Sequence, residues 1–148
     1  MIVHVPTPVI SVSAEAETEL GPVIGDGLNT FNDEVVGYTD RKPLQVLVRE
    51  RADGPIVGGI SGRTSLGLLF IDLVYLPKPL RGAGLGARMV AAAEEEAIRR
   101  GCRAGVLYTI SFQAPGFYQR LGWRVFGEIP CDPPGTSRVF LTKDFSPR

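Results

Sequence analysis

The chain has 148 residues, of which 44% are hydrophobic and 22% charged, as is typical of one soluble globular domain. Its sixteen basic and sixteen acidic side chains cancel to a net charge of zero, which argues against nucleic-acid or anionic-lipid partners. The sequence has no apolar run of the roughly 18 residues that a bilayer span needs, and its first ten residues do not resemble a signal peptide. We therefore expect residues 1–148 to form a single cytoplasmic domain that binds neither nucleic acid nor membrane.

The first half of the chain predicts one helix and several strands. The helix, at 14–32, contains three glycines and Pro22, which weaken it or split it into two. The predicted strands are a short one at 9–12, a hairpin formed by 44–49 and 56–64, and an apolar run at 66–76. Because the run at 66–76 is almost continuously apolar, we expect it to be buried on both faces at the centre of a sheet.

The second half predicts alternating helices and strands. A helix over 85–100 has an apolar stripe at four-residue spacing (Leu85, Met89, Ala93 and Ala97), and Gly101 follows it at a left-handed C-cap position. A strand at 104–110, a short helix at 114–121 and strands at 123–129 and 137–141 complete the chain. This order predicts an α/β (α+β) fold with a mixed, mostly antiparallel sheet of about seven strands and helices on both faces.

Glycines 82, 84 and 86 lie between the apolar strand and the helix at 85–100. Backbone N–H groups at such a helix N-terminus form a site for phosphate, although the glycines could also serve only to relieve strain in a tight connection. A dinucleotide-binding motif is disfavoured because residues 77–81 separate the strand from the first glycine. A P-loop is excluded because no Gly-Lys-Ser/Thr follows.

Two motifs resemble a known family. Arg81-x-x-Gly84-x-Gly86 after an apolar strand resembles the acetyl-CoA pyrophosphate loop of the GNAT N-acetyltransferase superfamily, and residues 117–123 (FYQRLGW) resemble its FYxxxGF/W element. The resemblance implies a GNAT-like acyl-CoA N-acyltransferase fold. It also implies transfer of an acetyl group from acetyl-CoA to a primary amine by direct attack, without a covalent enzyme intermediate.

The same resemblance implies the cofactor-binding residues. Tyr118 would lie near the cofactor sulfur and protonate the leaving thiolate, unless it is only a packed helix aromatic. Ser111 stands where many members have an asparagine that binds pantetheine. Backbone groups of Val74, Tyr75 and Leu76 would contact the pantetheine and polarise the thioester. The pyrophosphate would lie on the loop residues Arg81, Gly82, Ala83, Gly84, Leu85, Gly86 and Ala87.

Asp72 is an ionisable residue within the most apolar strand. A carboxyl group buried there would have a raised pKa, and a carboxylate on this strand acts as general base in some members of the superfamily. The alternative is a structural partner for a buried arginine or a backbone N–H. Glu34, or a water relayed through backbone groups, is the second candidate base.

The remaining features bear on metals and partners. With only Cys102, Cys131 and His4, the sequence predicts two reduced structural thiols and no metal site. Residues 1–40 hold seven acidic side chains and no lysine or arginine, which suits a cationic amine, either a small molecule or a peptide. An exposed edge at the last strand, over 138–143, would allow a homodimer.

Two alternatives to an enzyme stay open: a non-catalytic acyl-CoA-binding module, and a protein-interaction module whose acidic N-terminal face binds a basic protein. The first predicts acetyl-CoA binding without turnover on any amine. The second predicts capture of a partner that does not depend on acetyl-CoA.

Overall fold

The computed structural model describes residues 6–145, which divide into two compact units with the boundary between Thr39 and Asp40. His4, weighed above as a metal ligand, lies outside the described residues. In the first unit, residues 6–19 form neither helix nor strand. The strand predicted at 9–12 is therefore wrong: Val9, Ile10 and Val12 are at least 88% exposed, and an apolar tetrapeptide without a neighbouring strand has no ladder to join.

One uninterrupted helix, α1 (Leu20–Val36), makes up the rest of the first unit. The predicted split does not occur, because Pro22 falls in the first turn, where its missing N–H has no intrahelical acceptor to lose. The helix ends at Gly37, whose φ of +85° allows its N–H to bond the carbonyl of Asp33.

The second unit contains a six-stranded sheet, two α-helices and a short 3-10 helix at Lys78–Leu80. The strands are β1 (Lys42–Arg49), β2 (Ile56–Ser65), β3 (Leu68–Tyr75), β4 (Ala104–Ile110), β5 (Arg124–Cys131) and β6 (Thr136–Asp144). The α-helices are α2 (Leu85–Arg99) and α3 (Pro115–Arg120). The strand order is β1-β2-β3-β4-β6-β5, and only β3 and β4 run parallel. The mixed, mostly antiparallel fold is confirmed, with six strands because the expected first one is absent.

Helix α2 covers one face of the sheet at β1, β2 and β3. Its predicted stripe is confirmed, since Met89, Ala93 and Ala97 are buried and Leu85 is partly buried against the core. Val90, which the prediction did not include, is buried as well. At its C-terminal end, Arg100 donates hydrogen bonds to the carbonyl of Pro43 and to Thr64 Oγ1, each 3.0 Å long. These bonds hold the end of α2 on the first two strands.

The opposite face of the second unit's sheet is called the open face below. On β3, Leu69 and Ile71 are buried under α2, whereas Leu73 is 71% exposed. The prediction that this strand is buried on both faces is therefore wrong, since Leu68 on the strand is also 37% exposed. Across the open face, the ring of Tyr108 packs 5.5 Å from that of Phe140 on the neighbouring strand.

Strand β6 lies between β4 and β5, so the edge strands are β1 and β5. The exposed edge predicted over residues 138–143 is therefore wrong, because both sides of β6 are hydrogen-bonded within the chain.

Gly105 on β4 makes room for the aromatic core. A Cβ at this position would lie 2.6 Å from the indole Cη2 of Trp123 and 3.0 Å from Cζ of Phe145. Trp123 itself is 2% exposed. Since no side chain fits there, the packing requires glycine.

Candidate active site

A gap opens between the two parallel strands in the middle of the sheet. Strands β3 and β4 pair only from Leu68/Ala104 to Ile71/Leu107. Beyond that point β3 stays paired with β2 as far as Tyr75, and β4 stays paired with β6 as far as Ile110. The backbone groups along both sides of the gap no longer bond each other, so they are available to a ligand.

A β-bulge lies where β3 leaves β4. Ser61 on β2 opposes Leu73, whereas Gly62 opposes Ile71, so Asp72 is the extra residue. The bulge turns the end of β3 away from β4. Sequence reasoning did not foresee it, because a bulge shows only in the register between two strands.

Asp72 lies on the open face, with 46% of its side chain exposed. Both of its carboxylate oxygens accept hydrogen bonds from Arg63, at 2.8 and 2.9 Å. The guanidinium of Arg63 in turn lies 4.4 Å above the ring of Phe70. The expectation of a buried carboxylate is wrong, and the arginine that binds Asp72 is itself half exposed.

Tyr118 reaches the same gap from the side covered by the helices. It is 6% exposed, its ring packs edge-on against Phe117 and Trp123, and burial raises the pKa of its phenol. The phenol is therefore held neutral, as a proton donor must be.

Asp72 and Tyr118 line one cavity of about 230 Å³. The other lining residues are Ile71, Leu73, Val74, Leu107, Tyr108, Thr109, Ile110, Gln113 and Arg138. The two residues predicted to be catalytic are thus brought together, 46 positions apart in sequence, by the parallel pairing of β3 and β4.

The polar residues Thr109, Gln113 and Arg138 of this cavity were missed by the sequence analysis. Thr109 Oγ1 donates to the side-chain carbonyl of Gln113, which also accepts from the N–H of Ile110. Arg138 enters from β6, directly opposite Ile110. Their positions depend on strand register and loop geometry, and no local pattern in the sequence marks them.

The glycine loop forms an uncapped helix N-terminus. Gly82 and Gly84 have φ values of +89° and +82°, and a Cβ on either would meet nothing within 4 Å. No side chain caps α2, and its first turn carries no acidic residue. The first N–H groups of α2 therefore have no side-chain cap, as an anion site requires. The loop fits a pyrophosphate.

Gly86 has a different role from Gly84. A Cβ on Gly86 would lie 3.3 Å from Cζ of Phe117, tighter than an ordinary contact. This glycine allows α2 to pack closely against α3, where the second motif lies. The two motifs are thus in contact.

The side chains of Arg81 and Ser111 both make hydrogen bonds to backbone groups of the protein. Arg81 Nε donates to the carbonyl of Leu76 at 2.7 Å, which ties the loop to the end of β3. Ser111 Oγ accepts from the N–H of Ser137 at 2.9 Å. The hydroxyl proton of Ser111 and the remaining donors of Arg81 can still serve a ligand, so their cofactor roles stay predictions.

The cysteines occupy unlike environments. Cys102 is buried, and burial raises the pKa of its thiol. Cys131 Sγ accepts a hydrogen bond from Arg138 Nη1 at 3.1 Å.

Over residues 6–145, no three His, Cys, Asp or Glu side chains lie close enough together to bind a metal ion. None of the described helices is long and apolar enough to cross a membrane.

Comparison with known proteins identifies the family to which this fold belongs. A crystal structure from Agrobacterium tumefaciens, 31% identical, matches 93% of this chain and 100% of that chain with a TM-score of 0.84. Residues 16–123 match the model of the acetyltransferase (GNAT) family. The chain therefore belongs to the GNAT acetyltransferase family, and the resemblance carried by its two motifs is confirmed.

Two relatives are similar in sequence. An acetyltransferase of Agrobacterium fabrum (strain C58) is 34% identical over 137 residues, which cover 93% of this chain and 98% of that protein. The blasticidin-S acetyltransferase of Streptomyces morookaense is 39% identical over 108 residues, which cover 71% of this chain and 79% of that protein.

Proposed function

We propose that this protein is an acetyl-CoA-dependent N-acetyltransferase that transfers the acetyl group directly to a primary amine of a small molecule. The observation that carries the proposal is that Asp72 and Tyr118 line the same cavity. The uncapped N-terminus of α2 supports it, because Gly86 lies against Phe117, the residue before Tyr118. The two units are taken as one acetyltransferase domain, because the family match at 16–123 includes parts of both.

The N-terminus of α2 and its glycine loop would hold the pyrophosphate of acetyl-CoA. Bound acetyl-CoA supplies the thioester. Backbone groups of Val74, Tyr75 and Leu76, at the end of β3 where its pairing with β4 has ceased, would hold the pantetheine and donate to the thioester carbonyl. Preorganised backbone donors need no reorganisation during the reaction.

The proposed transfer forms one N–C bond and breaks one C–S bond. The amine loses a proton and the departing thiolate gains one, so the reaction is balanced without a further reactant. Tyr118, kept neutral by burial, donates the second proton. Neither cysteine is proposed as a nucleophile, because neither Cys102 nor Cys131 lines the cavity.

Asp72 is the proposed acceptor of the amine's proton. Its carboxylate lines the cavity from the open face, and Arg63 donates hydrogen bonds to both of its oxygens. These oxygens would also accept hydrogen bonds from the incoming ammonium before Asp72 serves as a base. Water, or Glu34 on α1, stays the alternative base.

The acceptor is proposed to be a small molecule, on the evidence of the blasticidin-S acetyltransferase similarity. The first experiment is calorimetric titration of the protein with acetyl-CoA, with NADH as the competing dinucleotide. Thioester loss would then be followed with blasticidin S and simple amines as acceptors. We expect saturable acetyl-CoA binding and turnover with at least one amine.

Tyr118→Phe separates catalysis from binding in this assay. A lost general acid lowers turnover by about 10²-fold or more, while acetyl-CoA affinity should change little. Unchanged turnover would remove Tyr118 from the mechanism. Binding without turnover on any amine would favour the acyl-CoA-binding module, and absence of binding would return the glycines to a structural role.

A further inference from the structure

The open-face side of the cavity contains one arginine that the proposed chemistry does not use. Ile110 on β4 opposes Arg138 on β6, and Tyr108 opposes Phe140. Residues two apart on a strand point to the same face, and the rings of Tyr108 and Phe140 pack together on the open face. Arg138 therefore points to the open face, as does Asp72.

The charges of Asp72 and Arg138 are balanced differently. Asp72 is bound through both oxygens by Arg63. Among the described residues, the side chain of Arg138 makes no salt bridge. Its guanidinium donates one hydrogen bond, to Cys131 Sγ, which is a weak acceptor. The cavity thus carries a guanidinium with most of its five donors unused.

An uncompensated cation in a small cavity favours a particular ligand chemistry. If a neutral ligand displaced water from this guanidinium, the guanidinium would lose its hydration and gain nothing equivalent. A carboxylate would instead replace the lost water with paired, charge-assisted hydrogen bonds. The pyrophosphate site does not account for Arg138, because that site lies at the N-terminus of α2, on the covered face.

We propose that Arg138 binds a carboxylate of the acceptor, so that the preferred acceptors are amino carboxylic acids whose amine lies toward Asp72. This inference rests on the proposed function. It makes Arg138 a residue that determines acceptor specificity, separate from the groups that transfer protons.

The test uses matched pairs of acceptors: ω-amino carboxylic acids of two to six carbons and the primary amide of each. For each pair, the acid-to-amide ratio of kcat/KM is measured with saturating acetyl-CoA. We expect the best pair to give a ratio of about tenfold or more, since one charge-assisted pair is worth roughly that factor. The ratio should fall to about one in Arg138→Gln and remain above one in Arg138→Lys.

Arg124→Gln is the matched control, because Arg124 is exposed on β5 and does not line the cavity. It should keep the wild-type ratio. A wild-type ratio of one or less, or a ratio that Arg138→Gln leaves unchanged, would overturn the proposal. Thermal unfolding of each variant checks folding, and Arg138→Met, which also removes the charge, replaces Arg138→Gln if the latter does not fold.

A binding measurement separates this proposal from the proposed function. The N-acetylated product of each acid and of each amide is titrated into the protein and followed by ligand-observed NMR. A preference for the acid, lost in Arg138→Gln, supports the carboxylate site even if no acceptor is turned over. Equal binding of acid and amide refutes it even if acetyl-CoA binds and amines are acetylated.

Discussion

Valine in place of Gly84 would test the phosphate loop most directly, because α2 provides its own control. Gly84 precedes α2 with φ of +82°, and Gly101 follows it with φ of +85°. Neither position has an atom within 4 Å of an added Cβ, so the cost of each substitution is mainly backbone strain. A left-handed conformation costs a residue with a side chain about 1–2 kcal/mol. At roughly 2–4 °C per kcal/mol, both variants should melt about 2–8 °C lower.

The two variants should differ in acetyl-CoA binding. Helix α2 has 15 residues and is therefore about 22 Å long, so Gly101 lies far from the loop. At Gly84 the new side chain would stand between the phosphates and the helix N–H groups. Each hydrogen bond to a charged group is worth about 1.5–3 kcal/mol, so the loss of one such bond weakens binding by roughly ten- to a hundredfold.

Calorimetry with acetyl-CoA, at a temperature where both variants are folded, measures the difference. Gly84→Val should lose at least about tenfold in affinity, and Gly101→Val should bind like the wild type. Equal affinities for the two variants would refute the assignment of the phosphates to this helix end. Equal melting temperatures of Gly84→Val and the wild type would instead refute the estimate of strain.

Three further outcomes are expected from the packing and the pKa shifts. Burial raises the pKa of Tyr118 above its ordinary 10.0, so the folded protein holds this proton more tightly and the free energy of unfolding should fall as pH rises past about 10. Urea titrations should show that Tyr118→Phe loses this part of the fall, and an identical slope would contradict the shift. Gly105→Ala should destabilise the protein by about 1–3 kcal/mol through its clash with the aromatic core, whereas Gly127→Ala, whose Cβ has only a 4.0 Å contact, should be neutral or stabilising. Alkylation followed by mass spectrometry should modify Cys131 well before Cys102, since burial raises the pKa of the Cys102 thiol, and equal rates would contradict its burial.

Features set by neighbouring residues were predictable from the sequence. Helix α2 and its buried stripe follow from four-residue spacing, and the left-handed Gly101 follows from the C-cap pattern. The glycine loop and the buried Tyr118 were located through local motifs. The strand predicted at 9–12 was also inferred from neighbouring residues, and it was wrong. A strand needs a pairing partner, which the local sequence does not contain.

The sequence by itself determined the family, the two motifs and the residues that could carry the chemistry. Only the tertiary structure decided what surrounds them. The bulge at Asp72, its bond to Arg63, and the arrival of Arg138 in the cavity all depend on register between strands. Register is fixed by pairing over long sequence separations, so a residue's own neighbours in the chain do not reveal it.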